Sequence, residues 1–349
     1  SEEDASEEDA SEEDASEEDA SEEDASEEDA SEEDASEGAD GNVSVCPDAS
    51  PCGEGGCQSH LVLFGGTDDT TFFPDTWQWD GKQWTQVAPP PAPAPPGRFG
   101  AAMATECGVA VLVGGSPSLP PYDSDQWAWD GASWTQRMPA ASPTVRLDAS
   151  SAALDGVTLL FGGIEETGVS HFSVVADVAL WDGGSWTQPN IAQPPARSAA
   201  VMVAVGGEIV LFGGQDLAGK PLGDTWLWNG TAWRQEMPIH SPPARAYATG
   251  AAFGSSVVLF GGYGENQTLF GDTWIWGGTD WALAAASSAL TPNPRMQAVA
   301  GTLNGDVVLF GGEDLNDYFG DTWIWDGTVW TQGPISGPSA RYGAAMTAL

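Results

Sequence analysis

Residues 307–332 read VVLFGGEDLNDYFGDTWIWDGTVWTQ, and the chain repeats this pattern along most of its length. An apolar run closing on Gly-Gly occurs six times, ending at Gly66, Gly115, Gly163, Gly214, Gly262 and Gly312, at spacings of 49, 48, 51, 48 and 50 residues. After each doublet a connection of 8 to 13 residues leads to a second block. These blocks are DTWQWDGKQWTQ from Asp75, DQWAWDGASWTQ from Asp125, DVALWDGGSWTQ from Asp177, DTWLWNGTAWRQ from Asp224, DTWIWGGTDWAL from Asp272 and DTWIWDGTVWTQ from Asp321, and they hold all 17 tryptophans. A Pro-rich stretch, then Arg with small apolar residues, closes each unit, as in PPGRFGAAM around Arg98 and PSARYGAAM around Arg341. Self-similarity at a fixed period of this length marks a repeat architecture.

Each unit reads as four short strands. The apolar run, bounded by turn residues, is a buried strand. The glycines at its end admit backbone conformations and close approaches that a side chain blocks. In WxWDGxxW the first two tryptophans share one strand face, Asp-Gly reverses the chain, and the last Trp returns on the partner strand. The Arg-led segment supplies the remaining strand. Such a sheet cannot cover its own faces, so neighbouring units must stack, and radial stacking gives an all-β propeller.

The glycine doublet, the spaced aromatic pair and the period resemble kelch repeats over about 290 residues. The resemblance is to bacterial-type members with the fold of the galactose-oxidase-like central domain, and it implies six four-stranded antiparallel blades. It also implies closure by strands from both chain ends. The first unit starts at its Gly-Gly strand with no Arg-led strand, while residues 341–348 supply an Arg-led strand with no Gly-Gly strand after it. The C-terminal strand is expected to complete blade one; a seven-bladed ring cut short at residue 349 would leave it unpaired.

Residues 1–35 are seven copies of SEEDA and hold 21 of the 52 acidic residues behind a formal net charge of −42. A segment without large apolar residues cannot offset the entropy of ordering, and like-charge repulsion extends it. A five-residue period advances about 140° per repeat around a helix, so no apolar face could form either. Residues 1–40 are therefore expected to be a disordered acidic tail, 41–57 a Cys-containing linker and 58–349 the propeller. Cys46, Cys52 and Cys57 crowd the linker and Cys107 lies in the second unit. An even count in this setting reads as disulfides in an oxidising compartment. The absence of a CxxC pair and the scatter of His60, His171 and His240 count against zinc.

No apolar run reaches the roughly 18 residues of a membrane-spanning helix. No signal peptide opens the chain, so a processed form is expected. Tail and linker resemble those of bacterial surface lipoproteins, which implies secretion or cell-surface tethering through a lipid anchor upstream, with the tail as spacer. The SEED serines suit acidophilic kinases, and Asn42, Asn229 and Asn266 open NxS or NxT sequons, which are read as accidental.

Six of the ten basic residues, Arg98, Arg146, Arg197, Arg245, Arg295 and Arg341, occupy one place in successive units, and Asp75, Asp125, Asp177, Asp224, Asp272 and Asp321 another. A cationic ring for an anionic ligand is one reading. The preferred one is structural: one Arg–Asp bridge per blade, the guanidinium stacking on nearby Trp faces.

Function is sought where the units depart from their own pattern. The connection after Gly-Gly departs most, and it carries Asp68, Asp69, Tyr122, Glu165, Glu166, His171, Tyr263, Glu265, Asp314 and Tyr318. Carboxylates beside aromatic faces suit a glycan, a basic peptide or calcium. Phe270 and Phe319, two residues before the repeat Asp, recur by position and read as packing. Blade three has the longest connection and Ala179 in place of a Trp, which marks it as the first candidate for a specialised surface.

No catalytic residues, metal site or required cofactor can be named. Galactose-oxidase-like relatives imply copper held by Tyr, His and a thioether Cys, and the three scattered histidines do not assemble one. Mutarotase-like relatives imply acids and Arg around the channel. No phosphate loop, Ser/His/Asp order or HExxH is present, and the shortage of Lys and Arg counts against nucleic acid. The leading expectation is a secreted or surface-tethered scaffold binding a protein or glycan through its inter-strand loops. An extracellular carbohydrate-active enzyme and a subunit of an extracellular assembly are the alternatives.

Overall fold

The computed structural model describes residues 60–88, 93–117, 125–168, 171–285 and 290–349. The expectations for the tail, the linker, Cys46, Cys52, Cys57 and Tyr122 lie outside these residues. Among them no helix is long and apolar enough to cross a membrane.

Six four-stranded antiparallel sheets form the blades. Blade two shows the order from the centre outward: Ala102–Glu106, Val109–Val113, Gln126–Trp129 and Trp134–Arg137. The second strands, such as Glu208–Phe212, Ser256–Phe260 and Asp306–Phe310, bury their last four residues without alternation. Neighbouring blades cover both faces of these strands, so both sets of side chains are apolar. Six hydrophobic clusters result among the described residues, one at each blade junction.

The ring closes where the sequence places the seam. Tyr342–Ala348 is the inner strand of blade one and pairs antiparallel with Leu61–Thr67, from Leu61 opposite Ala348 to Thr67 opposite Tyr342. The inner strands of all six blades then stand side by side in a circle.

Two devices join each blade to the next. The second glycine of each doublet donates its N–H to the carbonyl of the next blade's Arg, as in Gly262 to Arg295 at 2.8 Å. At the first glycine, Gly261, φ is +71° and a Cβ would stand 2.5 Å from that same carbonyl oxygen, so no side chain fits. The outer-strand Trp reaches back to the previous blade: Trp84, Trp134, Trp281 and Trp330 donate to the hydroxyls of Thr322, Thr76, Thr225 and Thr273, and Trp186 to Gln126. In blade four the partner position is Val178, and the Trp233 indole N–H has no partner.

Blade three departs from four strands per unit. Its long connection forms a hairpin, Ile164–Gly168 with His171–Val174, which joins Arg146–Leu147 in a separate three-stranded sheet.

Candidate functional site at the channel mouth

Chain direction gives the propeller two unlike ends. Tight reversals such as Cys107–Gly108 and Gly305 with its neighbours occupy one end; the Arg-led segments, the doublets and the variable connections occupy the other.

At the second end each repeat Arg is at most 2 % exposed. Its fork grips the Asp of its own blade with Nη1 at 2.5–2.7 Å and Nη2 at 2.8–3.1 Å. Nη1 also donates to the carbonyl of the doublet's first glycine, as from Arg245 to Gly261 at 2.9 Å. Burial opposes ionisation of Asp125, Asp224, Asp272 and Asp321, yet the Arg fork and the indole N–H two residues on hold these carboxyls below the usual range. The expected stacking on Trp is corrected here. Arg245, Arg295 and Arg341 lie over Phe270, Phe319 and Phe73 at 3.8, 4.0 and 3.9 Å. The Trp presents its edge to the Asp instead, as from Trp274 to Asp272 at 2.8 Å. The Arg Nε donates to the carbonyl two residues back, as from Arg245 to Pro243 at 3.0 Å, so each guanidinium is held by its own blade on three sides.

Two residues after each Arg the chain reaches the channel mouth, at Gly100, Asp148, Ala199, Tyr247, Gln297 and Gly343. All six have φ between 54° and 65°. Each donates its N–H to the carbonyl of its predecessor in the previous blade at 2.8–3.0 Å, and Gly100 donates to Gly343, so the bonds form a closed circle. The four non-glycine members adopt the left-handed conformation at a cost of about 1–2 kcal/mol each, which the circle sustains. Within it lies a cavity of about 160 Å³ lined otherwise by alanines.

The side chains of this ring break its six-fold symmetry. The Tyr247 hydroxyl donates to Asp148 Oδ2 at 3.2 Å across Ala199 and accepts from Gln215 Nε2 at 3.1 Å. Gln297 Nε2 donates to Glu313 Oε1 at 3.0 Å. Burial pushes the Asp148 carboxyl up to about 6, and the Tyr247 bond opposes this only in part. Glu313 is raised to about 7, first by burial and then by the charges of Asp69 and Asp314. On the glycine side Phe72, Phe99, Tyr342 and Tyr318 form a chain of ring contacts with centroids 5.8, 6.3 and 5.6 Å apart.

The residues singled out by sequence are mostly dispersed. Asp69 and Tyr318 do meet: Asp69 accepts from the Tyr318 and Tyr342 hydroxyls, which lowers its pKa and pushes Tyr318 up to about 12. Asp68 and Asp314 cap their own turns through the N–H groups of Thr70, Thr71, Asn316 and Asp317. Glu165, Glu166 and His171 sit on the blade-three hairpin, where Glu165 accepts from Ser173. Glu265 opens a single 3-10 turn, and Tyr263 pairs its backbone with Ala246. His60 immediately precedes the strand Leu61–Thr67 and His240 pairs with Asp280, on segments other than the hairpin that carries His171. Among the described residues no group of three or more His, Cys, Asp or Glu is arranged to hold a metal ion.

Sequence reasoning missed Asp148, Gln215, Tyr247, Gln297 and Glu313. The signal for Asp148, Tyr247 and Gln297 was present in the units themselves, which two places after the Arg read Gly, Asp, Ala, Tyr, Gln and Gly; that for Gln215 and Glu313 was the place directly after the doublet, which reads Thr, Ser, Ile, Gln, Tyr and Glu.

No curated protein matches the chain. Residues 180–349 match the family model for the KLHDC2/KLHL20/DRC7 Kelch-repeats domain. Six units with the doublet, the Trp blocks and the closing strand form a propeller of kelch type, and from the third blade to the C-terminus the chain is similar to this kelch-repeat family.

Proposed function

We propose that the propeller is a protein-binding scaffold that receives its partner at the end carrying the channel mouth. One observation carries the reading. The scaffold repeats six times with little variation, whereas at the mouth Asp148, Tyr247 and Gln297 are held in a left-handed backbone that favours glycine. Backbone strain of this kind, kept in place by its surroundings, gathers at functional sites. Kelch domains in general bind proteins, which supports the same assignment.

The test is crosslinking capture from the native source with the full chain and with a Tyr247→Ala/Gln297→Ala variant. A partner retained by the first and lost by the second upholds the reading; equal retention refutes it. A glycan is a second reading, favoured by the aromatic chain beside carboxylates, and a glycan array run with the same pair of proteins decides it.

We further assign the chain to the cell surface or the secreted fraction, with the acidic tail as spacer and the four cysteines in disulfides. The cysteine count and the linker composition support this, as does Cys107, which is not a free thiol. Fractionation of the native host, with thiol labelling before and after reduction, tests both points.

A further inference from the structure

The mouth also indicates what part of a partner enters it, an inference that rests on the protein-binding reading above. The hydrogen bonds inside the cluster engage its donors against its carboxylates. The Tyr247 O–H goes to Asp148, one Gln215 N–H to Tyr247 and one Gln297 N–H to Glu313. What remains without a partner is Asp148 Oδ1, Glu313 Oε2 and the carbonyl oxygens of Gln215 and Gln297, against one spare N–H on each amide. The unengaged groups are therefore mostly acceptors, and two of them belong to carboxyl groups.

Among the described residues no ion pair joins a Lys or Arg to Asp148 or Glu313. Every repeat Arg is buried and bound to its own Asp. The carboxyl groups are separated by a phenol and an amide and do not converge as metal ligands do, in keeping with the lack of a metal-holding group among the described residues. Asp148, Tyr247 and Gln297 line the cavity and Glu313 is tied to it through Gln297, so a guest with several donors suits this set better than a point ion. The cavity of about 160 Å³ has room for the end of a side chain. One residue before Ala199, the Ser198 hydroxyl is 1 % exposed and has no partner, so a further polar group in the mouth's surroundings is unsatisfied. Beside the cavity, Phe72, Phe99, Tyr342 and Tyr318 offer ring faces to the apolar stem and the neighbours of such a side chain.

We propose that the channel mouth takes a lysine or arginine side chain of the partner protein, its cationic head between Asp148 and Glu313 and its flanking residues on the aromatic chain. The partner segment is basic, complementary to a mouth whose free groups are acidic.

Random peptides displayed on phage, selected against the full chain, test this. Enriched peptides share a Lys or Arg at one position. Replacing that residue by norleucine or citrulline weakens binding to the wild-type chain at least tenfold, and so does the Asp148→Asn/Glu313→Gln variant with the peptide unchanged. The peptide arm uses only the wild-type protein and stands even if the double variant melts early. Enriched peptides without a shared basic residue, or affinity indifferent to norleucine and citrulline, overturn the cation inference and leave protein binding standing. Failure to enrich any peptide counts against both.

Discussion

At the scale of single residues, the same side chain acts as scaffold or liability according to its partners. Arg197→Met leaves the half-buried Asp224 without its fork, and the expected cost is about 2–3 kcal/mol, below that of breaking a fully buried pair, read as a lower urea midpoint. Binding at the mouth should persist in conditions where the variant is folded, because the guanidinium does not line the cavity. Glu106 is the opposite case. It occupies the place filled by Leu154, Val205, Phe253 and Leu303 in other blades, is 6 % exposed, and one of its oxygens has no partner. Burial raises its pKa to about 7; Arg137 opposes the rise and Asp182 adds to it. Because the native carboxyl holds its proton above the unfolded value, the native state loses stability as pH climbs from about 4.5 through 7. Glu106→Leu is expected to raise the melting temperature at pH 8 and to do so much less at pH 5; equal gains at both would show that packing, and not ionisation, is responsible. The Arg and Asp positions were legible because each occurs once per unit. Their geometry was not: indole N–H and indole face compete for the same Trp, and only the folded connection shows that Phe73, Phe270 and Phe319 take the stacking role.

At the scale of elements, four strands per unit could be read directly, since glycine, Asp-Gly and the tryptophan spacing punctuate each one. The blade-three connection could not. IEETGVSHFSVVA carries the β-branched residues of a hairpin, but its length and lack of counterpart in other units made it look like a loop. The same blade supplies a stability test. Every outer-strand Trp finds an oxygen in the preceding blade except Trp233, which faces Val178. Val178→Thr keeps the volume and adds the hydroxyl that the pattern calls for. The expected gain is about 0.5–1.5 kcal/mol, measured by denaturant unfolding, and it should vanish in a Trp233→Phe background.

At the scale of the whole molecule, closure depends on one terminal strand. Removing residues 341–349 deletes the inner strand of blade one together with the Arg341–Asp75 pair. It exposes the edge of Leu61–Thr67 to other chains. Loss of a single cooperative melt and concentration-dependent association are expected, whereas removing residues 1–40 should leave the melting temperature within about a degree, as calorimetry can determine. The ring and its seam were legible in the sequence because a unit lacking a strand at one end is matched by a spare strand at the other. The mouth was not, since its residues sit in six distant segments and acquire meaning only when the circle is complete. That circle has a consequence for molecular recognition. Its peptide groups are spent on one another, leaving little main chain for a guest to read, and discrimination falls to six side-chain positions held in one repeated frame. Gly100 and Gly343 are blanks in that register. The mouth is thus an addressable code, and new specificities can be written into it beginning with Asn or Asp at Gly343, where a Cβ would meet its nearest neighbours at 3.3–3.4 Å; at Gly100 a Cβ would collide with Leu147 Cδ1, so that place stays glycine.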